Sequence, residues 1–172
     1  MDKESTTAFG KLLNIIGTLL MVIIIVICLS VTAPKLFGVS PFVVVSGSMT
    51  PAIPVNSLIY VKGCDPAQLE KGDVILFYDS KDGTPVTHRV VENDTGSKEI
   101  ITKGDANNGI DLRPALYANV VGKVILHVPV IGAVTGVLST LMGKIAAAMI
   151  ILAGYLLTVI ARRTGRRKKY ES

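Results

Sequence analysis

Two long stretches of this chain carry no charged side chain: residues 12–33 and residues 145–161. A helix needs roughly 20 apolar residues to cross a ~30 Å hydrocarbon layer. In lipid the backbone must satisfy its own hydrogen bonds, so each stretch is expected to be a spanning helix. The second is short, but residues 138–143 lengthen it by a turn or more, and it stops at Arg162. A cleavable secretion signal is the rival reading of the first, because Val31 and Ala33 supply small residues at the spacing of a cleavage site. The run exceeds the roughly 7–15 apolar residues of such a signal, and Pro34 would follow the cut. An uncleaved anchor is therefore expected.

Charge orients the two spans. The chain carries 18 Lys+Arg against 13 Asp+Glu, a net charge of +5. The two signs nearly balance between Lys35 and His127, so the excess lies in Arg162, Arg163, Arg166, Arg167, Lys168 and Lys169. A basic segment abutting an apolar run marks the cytoplasmic side of a membrane. No nucleic-acid-binding motif accompanies the charge, so nucleic acid is not an expected partner. The chain then divides into a cytoplasmic N-terminus (1–11), a transmembrane helix (12–33), an extracytoplasmic domain (34–142), a second transmembrane helix (143–161) and a basic cytoplasmic tail (162–172). Lys3 and Lys11 agree with this orientation. Cys28 lies in the first apolar run and Cys64 in the polar middle, so bilayer and water separate them and no bridge between them is expected.

The middle reads as β structure. Short β-branched runs occupy 43–46, 58–61, 74–78, 86–91, 100–102 and 120–128. Turn signals separate them, at Pro54, Cys64-Asp65-Pro66, Lys71-Gly72-Asp73, residues 79–85 and Asn107-Asn108-Gly109. No helical pattern of 10–15 residues falls between them, so the fold class is mainly β, a small antiparallel domain. Residues 129–142 are apolar and glycine-bearing, and are expected at the membrane surface before the second span. Asn93-Asp94-Thr95 fits a glycosylation triplet on an outward loop, a pattern that also arises by chance.

Three polar groups in this domain could carry chemistry. Ser46-Gly47-Ser48-Met49-Thr50-Pro51 follows the 43–45 strand. By itself it is an ordinary strand-ending turn, but a serine hydroxyl beside a base is a nucleophile. His88 alternates with Val86 and Val90, so it is either a core histidine bonded to backbone or a general base. His127 falls on the more polar face of its strand and is expected at the surface. The loop from Lys103 to Asp111 carries Asp105 and Asp111, which are either turn carboxylates or the group that holds a histidine in its productive tautomer.

In order along the chain, these segments resemble a known family. Ser46-Gly47-Ser48-Met49-Thr50-Pro51 is similar to the nucleophile box of type I signal peptidases. Glu70-Lys71-Gly72-Asp73-Val74-Ile75-Leu76-Phe77 is similar to the next box, Thr87-His88-Arg89-Val90 to the third, and Thr102-Lys103-Gly104-Asp105 with Asp111 to the fourth. Val128-Pro129-Val130-Ile131-Gly132 resembles a late family element. Most bacterial members carry a base lysine in the third box. His88 there resembles the histidine-type branch of the endoplasmic reticulum, archaea and sporulating bacteria.

The resemblance implies a small antiparallel coiled-sheet catalytic domain, a serine peptidase domain over 34–142, flanked by two transmembrane helices. It implies removal of signal peptides from secreted preproteins, with Ser48 as nucleophile and His88 as base. Asp111 would orient His88, and Asp105 would be a structural or supporting carboxylate. The Ser48 N–H and the Ser46 hydroxyl would hold the oxyanion. Neither metal nor cofactor is implied. The partners would be preproteins, the lipid bilayer and other subunits of a peptidase complex. The location would be the cell membrane, multi-pass, with the catalytic domain outside the cytoplasm (the endoplasmic reticulum membrane in a eukaryote).

Leu112 and Pro114 depart from a stretch often more polar in relatives, which bears on the match at Asp111. Lys62, Lys81 and Lys103 remain as rival bases. A self-cleaving repressor-type Ser/Lys protease shares the nucleophile box but is soluble and binds DNA. A non-catalytic two-span assembly factor or peptidase-complex subunit is the rival outside enzymes. The topology is testable: a reporter fused after Ser172 should be cytoplasmic, and one inserted in the 79–85 turn should be external. Protease protection that puts both on one side of the membrane would end the two-span reading.

Overall fold

The computed structural model describes residues 8–167; Lys3, Lys168 and Lys169, which entered the charge argument, lie outside the described residues. The chain forms two compact units, one over Val31–Gly136 and one built from the segments on either side of it.

The first unit is a curled antiparallel sheet. Its strands are β1 (Val39–Val43), β2 (Leu58–Lys62), β3 (Val74–Tyr78), β4 (Pro85–Asp94), β5 (Glu99–Lys103), β6 (Ala115–Leu116) and β7 (Val120–Val128), in the order β1-β2-β7-β3-β4-β5-β6. Both faces are covered, which is why β3 reads as an unbroken apolar run instead of an alternation. Leu76 joins Val44, Met49, Ile53, Ile59 and Val61 on one face. Ile75 and Phe77, one residue to either side, join Leu69, Val90, Ile100 and Ala115 on the other.

Three elements differ from the sequence expectation. β1 ends at Val43, so Val44 and Val45 lie beyond the ladder. Val44 keeps a backbone bond to Ser57 (2.9 Å) and is buried, while Val45 is 84 % exposed. β1 instead begins at Val39 and takes in Pro41, which an edge strand tolerates because one row of its donors has no partner. β6 is only two residues long, too short to leave a pattern.

The third difference concerns Asn93. It lies in β4, not on an outward loop, and its side-chain amide is fully engaged. Nδ2 donates to the carbonyls of Pro66 (2.9 Å) and Leu69 (2.8 Å), and Oδ1 accepts from the Tyr117 hydroxyl (2.6 Å). This side chain ties together three segments far apart in sequence, and its amide nitrogen has no free hydrogen to offer a sugar.

The second unit contains α1 (Ala8–Thr32) and α3 (Leu141–Arg167), both long and apolar enough to cross a membrane. Their buried positions among the described side chains are small: Gly10 and Gly17 on α1, Gly143, Ala147, Gly154, Thr158 and Ala161 on α3. A side-chain carbon on Gly17 would lie 2.6 Å from the Gly154 carbonyl oxygen, and one on Gly154 would lie 2.8 Å from that of Gly17. The two backbones therefore touch, the packing that small residues permit between apolar helices. A shorter helix, α2 (Ile131–Ser139), precedes α3.

Asn93→Ala would strand a tyrosine hydroxyl and two carbonyls, so it should lower unfolding free energy by roughly 1–3 kcal/mol. Thermal or urea denaturation of the purified protein checks this. Glycosidase treatment of protein made in a glycosylating host should leave its mobility unchanged at this triplet.

Candidate active site

Ser48 sits in a tight turn just past β1. Thr50 N–H donates to the Gly47 carbonyl (3.0 Å) and Ile53 N–H to that of Met49 (2.8 Å). Met49 and Ile53 are almost wholly buried, so the residue after Ser48 is a plug that fixes the serine at the rim of the core. Ser48 is half-buried and Ser46 is exposed, with their hydroxyl oxygens 3.3 Å apart.

His88 lies on β4 at a fork in the sheet. Its strand is paired with β3 throughout Pro85 to His88, whereas β5 joins only from Arg89 onward, across from Lys103. The imidazole is buried, and its Nδ1 is 2.5 Å from Asp111 Oδ2. The same carboxylate oxygen accepts from the Thr102 hydroxyl (2.6 Å), and the Asp111 N–H donates to the Thr102 carbonyl (2.8 Å). An ionised carboxylate can only accept. The neutral ring then carries its hydrogen on Nδ1 and leaves Nε2 as an open acceptor.

The segment after β5 closes the arrangement. The Ala106 N–H donates to the Ser48 carbonyl (2.8 Å). A side-chain carbon on Gly104 would fall 2.7 Å from that carbonyl, 2.8 Å from Asn107 Nδ2 and 2.9 Å from His88 Nε2, so only glycine fits. Ser46, Ser48, His88 and Asn107 all line one cleft of about 360 Å³, whose apolar wall includes Phe42, Met49 and Leu76.

Asp105 is placed differently. Arg89 grips it with two hydrogen bonds, Nε to Oδ1 (2.8 Å) and a terminal nitrogen to Oδ2 (2.7 Å), and uses its other terminal nitrogen on the Gly72 carbonyl (2.8 Å). These bonds from the guanidinium hold the Asp105 carboxyl below its ordinary range. Arg89 follows His88 directly, so alternation turns it away from the imidazole and toward the turn that carries Gly104 and Ala106.

Of the residues singled out from sequence, the structure thus gathers Ser46, Ser48, His88 and Asp111. It sets Asp105 one ion pair away. No lysine lines the Ser48 cleft among the described residues. Lys62 ends β2, Lys81 lies in the β3–β4 turn and Lys103 pairs across from Arg89. His127 is exposed on β7. Sequence reasoning assigned no task to Thr102, Gly104, Arg89 or Asn107. Thr102 had a signal of its own, as the one hydroxyl among the isoleucines of β5, and it proves fully buried.

Comparison with known proteins bears on the family. A family model described as signal peptidase, peptidase S26, matches residues 16–95. Signal peptidase I W of Bacillus subtilis is 38% identical over 117 residues, 62% of this chain and 61% of the relative. The signal peptidase complex catalytic subunit SEC11 of Colletotrichum graminicola is 34% identical over 113 residues, 58% of this chain and 64% of the relative. The chain thus spans somewhat less than two thirds of these two relatives. The human signal peptidase complex catalytic subunit SEC11C is 31% identical over 131 residues, 69% of this chain and 67% of that protein. With the curled antiparallel sheet and two apolar helices, these matches mean that the chain belongs to the signal peptidase family, peptidase S26, on its SEC11-like branch.

Proposed function

We propose that this chain is a membrane-bound serine endopeptidase that removes signal peptides from preproteins, with Ser48, His88 and Asp111 as its working groups. The observation that carries the reading is the relay Thr102–Asp111–His88. It ends on an open Nε2 in the wall of the cleft that also holds Ser48. In this reading His88 Nε2 takes the Ser48 proton as the hydroxyl attacks the scissile carbonyl, and later delivers it to the leaving amine. Asp111 fixes the tautomer and stabilises the imidazolium. The Ser48 N–H and the Ser46 hydroxyl receive the charge on the carbonyl oxygen.

The substrate would enter as an extended strand along the free edge of β4 at Pro85–His88. Its residues one and three places before the cut would enter the Ser48 cleft, whose apolar wall suits the small side chains of an A-x-A-like site. α1 and α3 would anchor the chain in the bilayer, with the basic segment after Ala161 on the cytoplasmic side and the sheet outside. The relatives named as subunits of a signal peptidase complex support partner subunits here as well.

Incubating the purified chain with a radiolabelled preprotein tests the activity. Ser48→Ala should abolish cleavage in a folded protein, and Ser46→Ala should retain a residual rate, since one oxyanion donor is worth roughly 10²–10³-fold. His88→Ala should be inactive and His127→Ala active. Full activity in His88→Ala with loss in Lys62→Ala, Lys81→Ala or Lys103→Ala would restore a lysine base.

The two aspartates separate by their readouts. Asp111→Asn should fold and lose roughly 10⁴-fold in rate, as a triad does when its histidine is left in the wrong tautomer. Asp105→Asn should act chiefly on stability. Its folded pKa is lowered by Arg89, so the pair stabilises the fold fully above the ordinary carboxylate range and loses that contribution as pH falls through the lowered value. Melting curves should therefore separate the parent protein from Asp105→Asn at neutral pH and converge on acidification. A folded, inactive Asp105→Asn beside a normally active Asp111→Asn would exchange the two roles.

A further inference from the structure

Two clefts border His88, one on each face of β4. Thr87 stands across from Leu76, and both line the cleft that holds Ser48. Val86 stands across from Phe77, and both line a second cleft of about 290 Å³, closed on its far side by the segment from Asp111 to Pro114. Val86 and His88 belong to the rims of both clefts. The edge of β4 that separates the clefts is the stretch that β5 leaves unpaired.

We propose that this second cleft is a specificity pocket for the substrate residue two places before the scissile bond, and that Leu112 is its selecting wall. The inference rests on the peptidase reading above. An extended peptide added to the free edge sends successive side chains to opposite faces. With the residues one and three places before the cut in the Ser48 cleft, the residue between them is directed onto the other face, over Val86 and toward Leu112.

The chemistry of the cleft sets what it would select. Phe77 and Val86 give it an apolar floor. Leu112 is fully exposed, so in the free protein it packs on nothing. Covering it with a substrate side chain therefore buries apolar surface that only the complex buries. Arg113 and Asp79 stand 3.8 Å apart at the rim, the arginine exposed and the aspartate half-buried. Their opposite charges offset each other there, and the Asp111 carboxylate in the lining disfavours an acidic tip on an entering side chain. The preferred occupant is a long apolar side chain such as leucine or methionine, and glycine or aspartate is disfavoured.

The test uses the full chain in lipid vesicles and a preprotein series that differs only at the residue two places before the cut. Leucine and methionine should be processed roughly tenfold faster in kcat/KM than glycine or aspartate. Leu112→Asp should erase that ranking. Leu112→Met should preserve the ranking. A flat profile in the parent protein, or a ranking that Leu112→Asp leaves unchanged, overturns the pocket and leaves the peptidase reading standing. Failure of the parent protein to cleave any member of the series overturns that reading, and the pocket with it.

Discussion

A side chain on Gly104 would collide with the Ser48 carbonyl, the Asn107 amide and the His88 imidazole together. The backbone after β5 must pass through the gap between the serine turn and the histidine strand, and this close approach brings two distant segments into one cleft. Several bonds hold it there. The Ala106 N–H is committed to Ser48, and the Asp105 carboxylate to Arg89 on the same strand as His88. The Asp111 N–H returns to Thr102. The loop from Lys103 to Asp111 is thus stitched to the strands on either side of it, and the imidazole lies between the stitches.

The sheet supplies the opening. With both faces packed, its interior strands are fixed by cores on either side, and places where a further strand could be added lie along an edge. Exposed edges are a liability that folded proteins ordinarily cover or shorten. Here β4 is left bare for the four residues from Pro85 to His88 before β5 closes on it. The bare stretch ends at the histidine. Arg89, the first residue inside the closed ladder, carries the ion pair that holds the neighbouring turn in place.

Much of this frame is legible in the sequence. The apolar runs declare themselves because lipid tolerates so few charges, and β3 and β7 match their expected bounds because turn chemistry brackets them sharply. β1 is displaced toward the N-terminus because Ser40-Pro41 disguises an edge strand, where the missing donor costs nothing. The convergence of Ser48 with His88 is visible only as a family pattern, since nothing local to either residue points at the other. Spacing does not distinguish Asp105 from Asp111, which share one loop. The geometry distinguishes them through Thr102 and Arg89, two partners whose roles depend on strand register. Asn93 shows the converse, because a surface-type triplet carries no information about burial and the side chain is a cross-brace.

The contact between Gly17 and Gly154 bears on how far the anchors can be treated as generic. Hydrophobicity alone would let any leucine-rich segment stand in for α1, and a grafted span of that kind would still enter a bilayer. It could not lie against α3 at the same distance, because every β-carbon introduced at the crossing meets a carbonyl of the other helix. The pair is a matched set, like two gears cut for each other, and exchange between paralogues would have to move both helices or neither.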